Sequence, residues 1–390
     1  MNVLDIVILA LVALAAYEGL RLGAVLLVLS FGGFYLGMYL GALLASHTAR
    51  WVHSTGAQTA VALGTTLGMA ILLGTAGRLV GSRLFRSLHR GLLGPVDSGL
   101  GVLVAVVATL LAAWLVASTL ASTSFQPVNR AVAGSRIVRT LDDVLPPTPD
   151  VFAQVQGFLD HEGFPPVFAQ LAPLAAGPVA LPGDSQVAAA VAGAGPSTVK
   201  IVGVGGGDIQ EGSGFVVAPG LVVTNAHVVA GISRPTVEDT DGTHDTTVVL
   251  FDPEYDLAVL RVPGLTERPL TLDPATVGRG TQAAVLGYPG GGPFAYGPAG
   301  VTAEYEAQGR DIYGQGLTDR AVYEIQAVVR PGNSGGPLVE PDGTVIGVVF
   351  ARSTTDGDVG YALTSPGVLA RVRQAESASA AVGTGACVSD

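Results

Sequence analysis

Three short stretches carry residues able to do covalent chemistry. The first is Pro331-Gly332-Asn333-Ser334-Gly335-Gly336-Pro337, flanked by apolar runs from Tyr323 to Val329 and at Leu338-Val339. That pattern predicts a tight turn between two strands with Ser334 at its tip. Glycines beside a serine leave the hydroxyl uncrowded and let neighbouring N–H groups converge on one point where an oxyanion can form. The expected donors are the N–H groups of Gly332 and Ser334. A serine nucleophile needs a base, and the base needs a group that orients it. His227 follows the apolar strand Leu221 to Thr224, and Asp256 heads another, Leu257 to Val262. Singly, each has an ordinary explanation, as a turn residue or a satisfied histidine. A His, an Asp and a Gly-flanked Ser, each at the end of an apolar strand, together describe acyl transfer through a serine.

The elements that must position these groups are short. From Thr198 onward the chain alternates apolar strands with Gly-rich turns, which predicts an all-β domain of barrel type. Ser365-Pro366 is a helix start, with a closing helix over 367–374. The segments GSGFVV (from Gly212), TNAHVV (from Thr224), YDLAVL (from Tyr255) and GNSGGPL (from Gly332) resemble the trypsin-like serine peptidases of the HtrA branch. The resemblance spans roughly Thr198 to Ala375. It implies a chymotrypsin-like double β-barrel of two six-stranded barrels, with His227 and Asp256 from the first and Ser334 from the second. It also implies a primary pocket based on Val328, six residues before the serine, with walls from Val349, Phe350, Ala351 and Arg352. An apolar floor leaves a basic side chain without a partner, so a small or medium apolar residue is expected before the cut. No cofactor is implied, and His47, His53, His89, His161 and His244 form no ligand cluster in sequence. Digestive relatives place a buried Asp immediately before the serine to receive a freshly cut N-terminus. Asn333 stands there and carries no charge to pair with an ammonium.

The first 120 residues are of another kind. Apolar runs at 3–20, 24–45, 57–80 and 99–120 each approach the ~20 residues a helix needs to cross a bilayer, which predicts a four-transmembrane-helix bundle. No basic residue precedes the first run and further runs follow, which excludes a cleaved signal peptide. Gly33, Gly37 and Gly41, like Gly64 and Gly68, recur every four residues, the spacing that lets helices approach closely. Arg21 lies between the first two runs, and Arg78, Arg83, Arg86 and Arg90 between the last two. The positive-inside rule puts those loops in the cytoplasm and everything after the fourth run outside; Arg50 is the exception. A short basic surface helix is expected at 81–93. Such a membrane domain ahead of the protease resembles the mycobacterial acid-resistance proteases, whose membrane part is similar to the colicin V production protein family. That resemblance implies a bacterial plasma membrane location, a periplasmic protease domain, cell-envelope proteins as substrates and a role in acid or envelope stress.

The domain plan is therefore 1–120 membrane domain, 121–197 connector and 198–390 protease. Within the connector, 128–144 and 149–159 have helical spacing. The Ala/Gly/Pro-rich run 172–196 reads as a flexible tether and a site of self-cleavage; His161 and Glu162 stand there without partners. The membrane part carries a net charge of +3 and the remainder −14, for a total of −11. An acidic soluble half excludes nucleic acid as a partner. Two other functions fit parts of the pattern. One is an HtrA-type quality-control protease, for whose PDZ module the 56 residues after Ser334 are too few. The other is a membrane scaffold whose protease domain only binds partners. Cys387 is the single cysteine, which excludes an intrachain disulfide; relatives that carry one would place its partner near Gly205-Gly206-Gly207.

Overall fold

A computed structural model describes residues 2–49, 55–88, 94–120, 126–146, 167–168, 176–353 and 356–388. They form two compact units, with the residues up to 146 in one and those from 176 on in the other. The predicted helix over 149–159, the pair His161 and Glu162, Arg50 and the end of the predicted surface helix at 89–93 lie outside the described residues.

The first unit is helical: α1 (Val3–Ala49), α2 (Thr55–Leu88), α3 (Gly94–Leu120), α4 (Gln126–Ala133) and α5 (Arg136–Val144). The spacing 128–144 thus becomes two helices. Among the described residues, three stretches are long and apolar enough to cross a membrane: Val3–Ala45, Ala60–Arg83 and Pro95–Ser118. The first two predicted runs lie within the single element α1, which is interrupted at Gly23 by non-helical angles (φ 72°, ψ 165°). Positive φ is open to glycine at little cost, so the break falls where the sequence allows it. Asp97 Oδ1 accepts the N–H groups of Ala24 (3.0 Å) and Val25 (3.3 Å), capping the helix that restarts there. Gly33, Gly37 and Gly41 press against the α2 backbone at Leu73, Met69 and Thr66, where any Cβ would collide. Gly64 and Gly68 face open space instead. On α2 the close contacts to α1 are made by Gly77, at Leu29 C=O, with Gly74 and Gly81 beside it, so the second row lies further along the helix than the sequence spacing suggested.

The described residues of the second unit carry thirteen strands. β1 (Thr198–Gly205), β2 (Asp208–Ala218), β3 (Leu221–Thr224), β4 (Thr236–Glu238), β5 (Thr243–Asp245), β6 (Thr247–Asp252) and β7 (Leu257–Arg261) make one antiparallel sheet of order β5-β4-β1-β2-β3-β7-β6. β8 (Gln282–Gly287), β9 (Ala295–Arg310), β10 (Leu317–Gln326), β11 (Pro337–Val339), β12 (Val345–Arg352) and β13 (Val359–Thr364) close a barrel in the order β10-β13-β12-β11-β8-β9. The expectation of two six-stranded barrels thus holds for the second. The first is a seven-stranded sheet, extended at one edge by the short hairpin β4–β5, whose edge strands β5 and β6 are not paired to close it. The sheet's inner face packs Val199, Ile201, Val216, Val222 and Leu260. The barrel core is built on Leu286, Tyr323, Ile325, Leu338 and Phe350, all fully buried.

The stretch read as a tether is structured in its described part. Asp184–Ala194 is a helix (α6) that buries Val187, Ala190 and Ala194 against the barrel. Ahead of it, Ala176 N–H donates to Glu324 Oε1 (2.8 Å), Val179 N–H to Gln326 Oε1 (2.9 Å), and Arg279 Nη2 to Gly177 C=O (2.6 Å). Alanine-rich composition is the best helix-forming material once a partner buries one face. A chain beginning at Ala176 is therefore expected to melt roughly 10 °C above one beginning at Thr198, since burying that face is worth about 3 kcal/mol. Equal melting temperatures would reduce the segment to a passive linker.

The closing helix α8 (Ser365–Glu376) is followed by a tail that is tied down: Gly231 N–H donates to Thr384 C=O (3.0 Å) and Val382 N–H to Val248 C=O (2.9 Å). Cys387 is a free thiol beside Gly206 and Gly231, in the region where relatives would carry a partner cysteine.

Candidate active site

Strand β3 ends at Thr224, and after Asn225 one helical turn, α7 (Ala226–Val229), presents His227. The Nδ1 of His227 lies 2.8 Å from Asp256 Oδ2 and 3.0 Å from Oδ1. With a carboxylate as partner, Nδ1 carries the proton and Nε2 is left to act as base. Asp256 Oδ1 also accepts the backbone N–H of His227 at 3.0 Å. Asp256 is fully buried and is the one non-glycine with positive φ (62°) among the described residues. Aspartate tolerates that left-handed conformation better than most residues, yet it still stores strain. Asn225 Nδ2 holds the turn by donating to Asp256 C=O (2.8 Å).

Ser334 sits in the loop between β10 and β11, 4% exposed. Gly332 (φ 89°) and Gly335 (φ 82°) flank it in conformations other residues rarely adopt. A side chain at Gly335 would collide with Ser213 C=O and the Thr224 hydroxyl, so the serine loop lies directly against the strand that leads to His227. No hydrogen bond joins Ser334 to His227 among the described residues. Such bonds are often loose before substrate binds.

The loop is held from both sides. Pro331 C=O accepts Gly290 N–H at 2.7 Å. In a trans peptide the C=O and N–H point oppositely, so this bond turns the Gly332 N–H away from Gly290. The N–H groups of Gly332 and Ser334 donate to no acceptor among the described residues. Ser213 ties the other side: its Oγ donates to Gly332 C=O (2.6 Å) and accepts Tyr288 N–H (2.8 Å), while its N–H donates to Ser334 C=O (2.8 Å). Asn333 closes the loop on itself, accepting Arg330 N–H at Oδ1 and donating its own N–H to Arg330 C=O, both at 2.9 Å. That ring keeps the loop's shape without a buried ion pair. Gly290, Ser213 and Asn225 were not singled out from the sequence; GSGF and TNAH contain two of them, but nothing local marks their role.

The predicted pocket residues are not brought together. Val328 is 56% exposed and lines a cavity of about 400 Å³ with Leu181, Pro289, Tyr296, Arg330 and Asn333. Val349, Phe350 and Ala351 are buried in the barrel core and do not line it. Val349 is engaged through its backbone, accepting Gly335 N–H (2.8 Å) and donating to Gly336 C=O (2.9 Å). Arg352 is half-buried. Among the described residues no three His, Cys, Asp or Glu side chains gather as a metal site.

A closed antiparallel barrel and a neighbouring sheet, with a paired His and Asp and a glycine-flanked serine, define the trypsin-like serine peptidase class. Residues 212–348 match the trypsin-like peptidase domain, and residues 4–146 match the colicin V production protein. The chain is 38% identical over 392 residues to serine protease Rv3671c of Mycobacterium tuberculosis (strain ATCC 25618 / H37Rv), covering 99% of this chain and 98% of that protein. Mitochondrial serine protease HTRA2 of Bos taurus is 40% identical over 158 residues, 38% of this chain and 32% of that one. The crystal structure of the Rv3671c protease from M. tuberculosis in its active form superposes with a TM-score of 0.53 at 42% identity, covering 56% of this chain and 96% of that one. The chain belongs to this family: it is a serine protease of the Rv3671c type, related to the HtrA enzymes.

Proposed function

We propose that the chain is a multi-pass membrane endopeptidase that cuts cell-envelope proteins outside the cytoplasm through Ser334, His227 and Asp256. The observation that carries this is the two-point contact of His227 Nδ1 with the buried Asp256 carboxylate, on a turn packed beside the serine loop. Ser334 Oγ attacks the peptide carbonyl as His227 Nε2 takes its proton. Asp256 holds the tautomer and stabilises the imidazolium, which then protonates the leaving amine. Water attacks the acyl-enzyme by the same route in reverse. The Gly332 and Ser334 N–H groups receive the oxyanion, each worth about 3–4 kcal/mol in the transition state. Labelling by a fluorophosphonate tests the assignment: a folded wild-type protein that takes no label favours the scaffold reading instead.

In this reading Gly23 divides α1 into two crossings. A 43-residue apolar stretch is about twice what a bilayer core requires. α3 also lies alongside both halves in opposite senses: its Gly101 meets Gly19 and its Trp114 clusters with Ile8, whereas its Tyr35 partner is Ala108 and its Asp97 caps Ala24. Four crossings with Arg21 and the Arg78–Arg90 group inside leave the protease outside. A reporter fused after Ser124 is expected to be active outside the cytoplasm and one fused near Arg86 inside; the reverse pattern overturns the location and the substrate class with it. Release by self-cleavage belongs upstream of Ala176, because a cut within 176–196 would separate the barrel from the segment that covers it.

A further inference from the structure

The hairpin of β9 and β10 reaches across to the turn that carries Asp256. At its tip, Ile312 N–H donates to Pro253 C=O (3.1 Å), and the Ile312 side chain packs on Ala226 and Ala230, on either side of His227. Further along β10, Arg320 is 1% exposed. Its Nε donates to Glu254 C=O (2.7 Å) and its Nη2 to Arg310 C=O (2.6 Å). The hairpin therefore grips residues 253 and 254, immediately before Tyr255 and Asp256, as well as the turn bearing His227.

A neutral side chain would suffice to bind two carbonyls. Burying a guanidinium instead costs several kcal/mol unless opposite charge faces it. Here the facing groups come from every neighbouring element. The β6–β7 turn supplies Asp252, Tyr255 and Asp256, and the hairpin tip supplies Asp311. β9 contributes Arg310 and also Glu306, which faces Tyr255. Arg371 of α8 pairs with Asp252 (2.6 Å) and stacks on Tyr255 (3.5 Å), so Asp252 already has a cation. Burial pulls the Arg320 guanidinium below its ordinary range, while Asp256, ahead of Asp311 and Asp252, pulls it back up.

We propose that Arg320 is a positioning residue for the proteolytic reaction: its buried guanidinium ties Glu254 C=O, on the turn that presents Asp256, to Arg310 C=O on the hairpin, and so fixes where that carboxylate meets His227. The idea rests on the assignment of His227 and Asp256 above.

The test is the rate of fluorophosphonate labelling of the full-length protein in detergent, measured against probe concentration. Arg320→Met is expected to lower the limiting rate about tenfold while the half-saturating concentration stays put, because the reacting groups lose alignment and the probe's binding contacts do not change. Arg320→Lys is expected to recover part of that loss, a compact ammonium bridging the two carbonyls poorly. A folded Arg320→Met protein that labels at the wild-type limiting rate overturns the proposal, as does a loss confined to half-saturation. If Arg320→Met does not fold, Arg320→Lys decides alone: an unchanged limiting rate overturns it. Wild-type protein that takes no label fails the assignment of Ser334, His227 and Asp256, whereas labelled wild type with unchanged variants fails only the role of Arg320.

Discussion

Ser334→Ala is expected to lower peptide hydrolysis by about 10⁶-fold and to abolish fluorophosphonate labelling, with the fold intact. Removing Oγ deletes the only atom placed to form the acyl bond, while the loop keeps its shape. The contacts that hold position 334 are made by its backbone: Ser334 C=O accepts Ser213 N–H, and the neighbouring Gly332, Asn333 and Gly335 carry the remaining bonds. Thermal unfolding should therefore shift by little. Because the three residues act as one unit, His227→Ala on top of Ser334→Ala should cost almost nothing further. Retention of more than a hundredth of wild-type hydrolysis in a preparation free of other proteases would remove Ser334 from the role of nucleophile.

Asp256→Asn is expected to cost about 10⁴-fold in kcat with only a small change in KM. Asparagine occupies positive φ as readily as aspartate, so the strained turn survives. Asn225 grips the backbone C=O of residue 256, which the substitution leaves in place. What changes is the face presented to His227. Two carboxylate oxygens now accept from its Nδ1 and its backbone N–H. With the amide oxygen kept at the Oδ1 position, the NH₂ falls where Oδ2 lies 2.8 Å from Nδ1, and turned toward Nδ1 it forces the proton onto Nε2, where it blocks the base. A kcat loss below tenfold in folded protein would show that Asp256 does not set the tautomer.

Much of this was legible because it is local. The order strand, Asn225, Ala226, His227 and the glycines around Ser334 encode their turns within a few residues, and most of the strands announce themselves by turn spacing, whereas the three-residue strands Thr236–Glu238 and Thr243–Asp245 are too short to do so. The apolar runs read as membrane helices by length alone. Other features misled for physical reasons. Residues 184–194 are so rich in alanine and glycine that they resemble a linker, and only the barrel surface that buries Val187, Ala190 and Ala194 makes them a helix. Arg310 and Arg320 drew no attention in the sequence, since arginine is among the residue types seldom fully buried, yet they are 2% and 1% exposed. Val328 occupies the position six before the serine as expected, but the side chains assigned as its walls point into the barrel core.

The sequence by itself determined which groups are reactive and the backbone turn each one sits on, since propensity, glycine conformations and apolar periodicity act over a few residues. Tertiary structure decided what those groups touch. His227 and Asp256 are 29 residues apart in sequence and meet because β3 and β7 are hydrogen-bonded neighbours. Gly290 meets Pro331, Ser213 meets Gly332, and Arg320 meets Glu254 across separations that no local pattern encodes. Those contacts form only when the open sheet and the closed barrel pack over a shared core and bring their loops together.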